Sequence, residues 1–219
     1  MSRKVAILGG AGNAVVIAAA IEHAGRMGAT DLEVAGLLND RTPVGQYIDR
    51  YPVIGKVSDA QRFLDEDYLF INAILRIDGN KERIALFESL GIPYDRLATF
   101  VHPMAYVAPS VQLGPGCVIM PQVAMSPGTK LGKGCIMMVG ATMGHDNTVG
   151  PFCHIAAQAC VGSYLTIGKG VHIGFNASVR ENLTIGDYST LGMGAVLTKN
   201  IGEKEIWVGN PATFLRYAD

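Results

Sequence analysis

From Val101 onward, Val, Leu, Ile or Met recurs at every sixth residue, through Val107, Leu113, Ile119, Met125, Leu131, Met137, Met143, Val149, Ile155, Val161, Ile167, Ile173, Val179, Ile185 and Leu191 to Leu197. The residue four places after each is mostly small or β-branched, as at Val111, Cys117, Val123, Thr129, Cys135, Ala141, Cys153, Ala159, Ala177, Ser189 and Ala195. A helix face repeats about every 3.6 residues, so this period excludes helix. Turn residues recur with it, in Leu113-Gly114-Pro115-Gly116, Leu131-Gly132-Lys133-Gly134 and Ile167-Gly168-Lys169-Gly170. Six residues suit a short strand plus a corner, with one apolar side chain pointing inward. Three such segments close a triangular coil of about eighteen residues, and five to six coils fit between Val101 and Ile201.

The 219 residues leave room for one large or two modest domains, and 49% hydrophobic residues supply a well-buried core. No apolar run reaches the roughly 18 residues needed to cross a bilayer. The segment after Met1-Ser2-Arg3-Lys4 is too short for a secretory signal, so a cytoplasmic location is expected. A net charge of −1 gives no electrostatic footprint for nucleic acid or an anionic membrane. The expected partners are small molecules and copies of the same chain.

Cys117, Cys135 and Cys153 are one coil apart, which predicts a vertical ladder of small apolar side chains at one inward corner rather than a metal or disulfide set. Cys160 falls outside the ladder. No metal site is expected.

Before the repeat the pattern changes. Lys4 to Leu8 reads as a buried strand, followed by Gly9-Gly10-Ala11-Gly12-Asn13-Ala14, an apolar helix to about Met27, and a strand from Leu32 to Leu38 ending in Asn39-Asp40. This is the opening of a doubly wound α/β unit. Ser58 with Gln61 predicts a capped short helix, Tyr68 to Ile74 a further strand, and Asn80 to Leu90 a helix. The joint to the coil is placed near Leu97 to Pro103, giving an α/β domain over residues 1–98 and an all-β repeat domain over 99–219. The glycine turn suits a phosphate at a helix start, but it fits a nicotinamide fingerprint poorly: the third glycine would fall at Val15, and Asp40 lies late.

Among five histidines, His145 alone combines a corner position with an adjacent carboxylate, in Gly144-His145-Asp146-Asn147. It should point outward, with its basicity raised by Asp146, as a general base requires. His154 and His172 are one coil apart and should stack on one face, where a ligand running along the coil meets both; for His172 the expectation is an exposed, inert position. His23 is placed on a helix surface and His102 at the start of the coil, neither with a chemical partner.

The whole chain resembles the bacterial sugar O- and N-acyltransferases that join a small nucleotide-sugar-binding, Rossmann-like domain to a left-handed parallel β-helix. These include the sialic acid O-acetyltransferases and the UDP-4-amino-sugar N-acetyltransferases of bacillosamine synthesis. The matching landmarks are Ile7 to Ala14, Leu37-Leu38-Asn39-Asp40, Tyr51-Pro52-Val53-Ile54-Gly55, Val101-His102-Pro103-x-Ala105, Gly144-His145-Asp146-Asn147-x-Val149-Gly150 and Val208-Gly209-Asn210-Pro211-Ala212. The resemblance, not the periodicity, implies the left hand. It also implies His145 as base with Asp146 behind it, and His154, Phe175, Met193 and Gly194 on acetyl-CoA. Ala11, Gly12, Asn13, Asn39 and Asp40 are implied on a nucleotide sugar. The implied assembly is a homotrimer with active sites between subunits.

Three features depart from the family pattern: Asn13 where histidine is usual, the longer segment Leu75-Arg76-Ile77-Asp78-Gly79-Asn80, and Thr213 near the end. The activity expected is acetyl-CoA-dependent N-acetylation of a nucleotide-linked amino sugar for bacterial surface glycan synthesis, by direct transfer. The alternatives are a sugar O-acetyltransferase and a non-catalytic sugar-nucleotide-binding protein. A γ-type carbonic anhydrase on the same solenoid is disfavoured, because its zinc site needs two histidines close in sequence and here the separations are nine and eighteen residues.

Overall fold

The structure is a computed structural model that describes residues 2–75, 77 and 79–218. Arg76 and Asp78, in the segment singled out above, lie outside the described residues. The first part is an α/β layer: strand β1 (Arg3–Leu8), helix α1 (Asn13–Arg26), β2 (Leu32–Leu38), β3 (Tyr47–Ile48), β4 (Tyr51–Gly55), helix α2 (Ala60–Asp65), β5 (Leu69–Asn72) and helix α3 (Asn80–Ser89). Val5, Ala6, Ile7 and Leu8 of β1 are all fully buried, as a central strand covered on both faces must be. The sheet order is β3-β4-β2-β1-β5, with β1 parallel to both β2 and β5. The chain thus leaves β1 to one side and returns to its other side, which opens a crevice at the carboxyl ends of β1, β2 and β5.

The short helical stretch begins differently from the expectation. A 3₁₀ turn at Val57–Asp59 precedes α2, and the cap is Asp59, whose Oδ2 accepts the Lys56 N–H at 2.8 Å. Ser58 makes no cap hydrogen bond.

From Phe100 to Leu197 the chain winds through two-residue strands that pair in parallel in three sheets, with residues eighteen apart in register, as Ile136 with His154 and His154 with His172; the longer strands Glu205–Val208 and Thr213–Tyr217 end one sheet as an antiparallel pair. Parallel sheets with this repeat fit a left-handed β-helix. The corners explain how a sequence of mixed residues keeps the period. A left-handed backbone conformation, φ between 54° and 77°, recurs at every sixth residue from Gly116 to Gly194, and it falls on Gln122, Asp146, Phe152, Gln158, Tyr164, Asn176, Asn182 and Tyr188 as well as on glycines. Sheet pairing above and below imposes a conformation that an isolated L-residue disfavours.

Inside the prism, Ile119, Met125, Met137, Ile155, Ile173, Leu191 and their neighbours are excluded from water. The first inward positions differ: Val101 is 38% exposed and Val107 and Leu113 are half-buried, since no coil lies beneath them. The cysteine ladder forms as expected. Cys117, Cys135 and Cys153 are buried and free, and each Sγ donates to a carbonyl one coil on, Gly132, Gly150 and Gly168, at 3.0–3.2 Å.

One face of the prism packs against the α/β layer. Its outward residues Val118 and Ile136 share a continuous core with Ala14, Ile17 and Ile21 of α1. Phe87 of α3 meets Phe152 edge to face at 5.7 Å, and Lys169 pairs with Glu88 at 3.1 Å. His23 and His102 are not isolated, contrary to the expectation: their rings stack at this joint, with His23 Nδ1 3.0 Å from His102 Nε2, and His102 is fully buried. The Met104 N–H donates to His102 Nδ1, so a neutral His102 carries its proton at Nε2 and donates it to His23.

Candidate active site

Two cavities adjoin, one within the α/β layer and one where the layer meets the coil. The first, of about 460 Å³, lies at the carboxyl ends of β1, β2 and β5 and is lined by Gly9, Gly10, Ala11, Asn39, Asp40, Arg41, Thr42, Ala73, Leu75 and Arg83, among others. Asn39 builds its rim: Nδ2 donates to Gly9 O, and Oδ1 accepts the N–H groups of Arg41 and Thr42 at 3.0 and 2.8 Å. Asp40 Oδ1 accepts the Val57 N–H at 2.9 Å, so this carboxylate shapes the pocket as well as facing it. A β-carbon at Gly10 would stand 2.6 Å from Asn39 Nδ2, which excludes any larger residue there without movement of the rim.

Of the sequence-derived substrate residues, Ala11, Asn39 and Asp40 line this cavity. Asn13 faces the second one instead, and Gly12, at φ 93°, lines neither. Arg41, Thr42 and Arg83 were missed. The available signal was position: Arg41 follows the strand end, and Arg83 sits one turn into the helix that starts beside the same sheet edge.

The second cavity, of about 190 Å³, is lined by Asn13, Leu75, Ile77, Asn80, His154, His172 and Phe175. Leu75 is a wall of both cavities. His154 and His172 stack as the spacing predicted, but the expectation of an exposed His172 is overturned. The two rings are 7% and 6% exposed, because Leu75, Ile77 and Asn80 stand over them. Ile77 O accepts the hydroxyl of Thr190, the next residue in the same stack, at 3.1 Å, and Asn80 Nδ2 donates to Gly170 O at 2.7 Å. Burial lowers the His154 pKa to about 3, helped by the neighbouring His172, and lowers that of His172 to about 4. Phe175 joins His154 here. Met193, one coil further along the same edge, is 78% exposed and outside the cavity, and Gly194 meets Phe175 only through its N–H to Phe175 O at 2.7 Å.

These depressed values make stability pH-dependent. The folded rings stay neutral where the unfolded ones, near pKa 6.5, take up protons, so their contribution is complete above about pH 6.5 and is lost as pH falls toward 4. Urea titrations at pH 7, 6 and 5 should show unfolding free energy dropping by up to ~1.4 kcal/mol per pH unit for each histidine. A variant with Phe at both positions should have a flatter profile, and equal slopes in the two proteins would contradict this assignment.

His145 stands at the corner between the faces carrying Thr142–Met143 and Thr148–Val149, outward as expected, with Nδ1 2.9 Å from Asp146 Oδ2. The carboxylate holds the Nδ1–H tautomer and leaves the Nε2 lone pair free. The Tyr164 ring meets the imidazole edge to face at 4.8 Å, and Ser163 Oγ accepts the His145 N–H at 3.0 Å. Beneath the corner, the fully buried Asn147 spends its whole amide: Nδ2 donates to Gly144 O and Gly162 O at 2.9 and 2.8 Å, and Oδ1 accepts the Leu165 N–H at 2.8 Å.

Residues 164–199 match the family model of the bacterial transferase hexapeptide, six repeats. The acetyltransferase domain of PglB from Neisseria gonorrhoeae is 32% identical over 98% of this chain and 100% of that domain, with a TM-score of 0.82. The chain belongs to the bacterial sugar N-acetyltransferases. The same gonococcal domain has also been solved in complex with acetyl coenzyme A. PerB from Caulobacter crescentus, solved in complex with CoA and GDP-perosamine, is 26% identical over 97% of each chain, with a TM-score of 0.83. A variant of that GDP-perosamine N-acetyltransferase with one histidine replaced by alanine superposes with a TM-score of 0.80. No curated protein matches the chain. This acetyltransferase has no group of metal-ligating side chains among its described residues, and no described helix is long and apolar enough to cross a membrane.

Proposed function

We propose that this enzyme transfers an acetyl group from acetyl-CoA to the amine of a nucleotide-linked sugar, in a site shared by two copies of the chain. The observation that carries the reading is the shared wall at Leu75, which sets a pocket suited to a nucleotide diphosphate directly beside a histidine-lined cavity of the coil. In the first cavity Arg41 and Arg83, with the backbone N–H groups of the glycine turn at the start of α1, suit phosphate oxygens, while Asp40 suits hydroxyl donors. Residues 1–98 are read as a Rossmann-like nucleotide-sugar domain, residues 99–219 as the acyltransferase β-helix. The relatives' complexes with acetyl coenzyme A and GDP-perosamine support both ligand assignments.

The geometry favours a composite site. His145 and His154 are nine residues apart, half a coil: His145 lies at the corner opposite the face that carries His154, with the packed core between them. One chain cannot bring both to one substrate, whereas neighbours around a three-fold axis can. The face that carries Tyr106, Ala124, Thr142, Cys160, Ser178 and Val196 outward has no charged side chain in that row, which suits contact between copies.

In the reaction the amine nitrogen attacks the thioester carbonyl, its proton passes to His145 Nε2, and His154 with a backbone N–H stabilises the oxyanion. Collapse expels the coenzyme A thiolate, which takes the proton from His145. Phe175, Met193 and Gly194 lie on the edge along which the pantetheine arm is placed. A cytoplasmic location accords with this donor and with four free cysteines.

Incubation with acetyl-CoA and a panel of UDP-, GDP- and dTDP-linked amino sugars should release free thiol in proportion to a new acetamide. Thiol release only with a hydroxyl acceptor would establish O-acetylation instead, and binding of the sugar nucleotide without thiol release would leave a sensor.

A further inference from the structure

His154 and His172 present their Nδ1 atoms to each other at 3.0 Å, with ring planes 7° apart and centroids 5.0 Å apart. Both rings are buried, and burial keeps both neutral at physiological pH. Two neutral imidazole nitrogens at hydrogen-bond distance share one proton, so one Nδ1 carries it and the other is bare. Its location decides what the cavity meets. A proton on His154 Nδ1 leaves Nε2 as a lone pair, whereas a proton on His172 Nδ1 obliges His154 to carry its own at Nε2.

Two buried polar atoms of this cavity's residues have no hydrogen-bond partner among the described residues, His154 Nε2 and Asn80 Oδ1. The Asn80 amide is fixed in orientation because its Nδ2 donates to Gly170 O, so Oδ1 is an acceptor only. The cavity therefore already holds one acceptor, and a site for a carbonyl also needs a donor.

We propose that His172 is a positioning residue for acyl transfer: its Nδ1–H, donated to His154 Nδ1, holds His154 as the Nε2–H tautomer, so that the cavity offers one neutral donor beside the acceptor Asn80 Oδ1. That pair complements a carbonyl oxygen next to an N–H, the two groups that a thioester and an attacking amine bring together. The inference rests on the transferase reading above and assigns a role to a residue that touches neither substrate.

The test compares ¹⁵N-labelled wild type with His172→Phe, which fills the space without a donor, and His172→Asn, whose amide nitrogen takes roughly the place of Nδ1. In wild type and His172→Asn the ring nitrogens of His154 should report protonation at Nε2, and in His172→Phe that single tautomer should be lost. Turnover should follow: kcat lower by roughly 10²-fold in His172→Phe, with KM for both substrates changed by less than about twofold, and largely recovered in His172→Asn. A His154 protonated at Nδ1 in wild type, an undiminished kcat in His172→Phe, or no recovery in a folded His172→Asn would each overturn the proposal. If His172→Phe does not fold, the tautomer in the other two proteins decides. The ring signals need no turnover, so a fixed Nε2–H tautomer in a protein that consumes no thioester would refute the transferase reading and leave this pairing standing.

Discussion

His145→Ala should lower kcat by roughly 10²- to 10⁴-fold, with little change in KM for acetyl-CoA or the sugar nucleotide. The expectation follows from the corner geometry. Asp146 Oδ2, 2.9 Å from Nδ1, leaves Nε2 as the free base of an outward-facing ring, and no other described imidazole combines exposure with a carboxylate partner. Asp146→Asn should give an intermediate loss. Asparagine tolerates the left-handed conformation at this residue, φ 55°, so the corner persists, but its amide no longer holds the Nδ1–H tautomer. Steady-state kinetics with thiol detection reads both variants. Near-normal turnover in His145→Ala would remove this residue from the mechanism.

The second large effect concerns stability. Asn147→Leu keeps the branched outline of the side chain and copies Leu165, the residue at the same corner one coil on, yet it strands the Leu165 N–H and the Gly162 carbonyl and takes one of two side-chain donors from Gly144 O. Leaving buried backbone groups unpaired should cost about 2–4 kcal/mol of unfolding free energy in urea titrations. The same change loosens the corner that aims His145, so kcat should fall even where the variant remains folded. A loss below about 0.5 kcal/mol would mean that Asn147 contributes packing alone.

The coil was legible because six residues make one strand and one corner, and because the inward position tolerates any aliphatic side chain but no polar one. The cysteine ladder followed from the same arithmetic. The left-handed corners were only partly legible: at Phe152, Tyr164 or Tyr188 nothing in the residue announces a positive φ, which the stacked sheets impose. The exposed position expected of His172 failed for a related reason. Local pattern places residues 154 and 172 on the outside of the prism, correctly, but Leu75, Ile77 and Asn80, which line the cavity over them, are more than seventy residues away in sequence. Likewise His23 and His102 are 79 residues apart, and neither flank records the other. Asn39 and Asp40 came from the family resemblance, and both line the first cavity, whereas Arg83 needed the knowledge that α3 starts beside the same strand ends.

A complementation measurement tests the composite site most directly. His145→Ala and His154→Leu subunits, each inactive alone, are co-expressed with different tags and the mixed oligomers isolated. If each site draws His145 from one copy and His154 from its neighbour, each isolated mixed trimer recovers about one wild-type site in three, read as thiol release and acetamide formation. Mixed oligomers that assemble normally and remain as inactive as their parents would contradict the account.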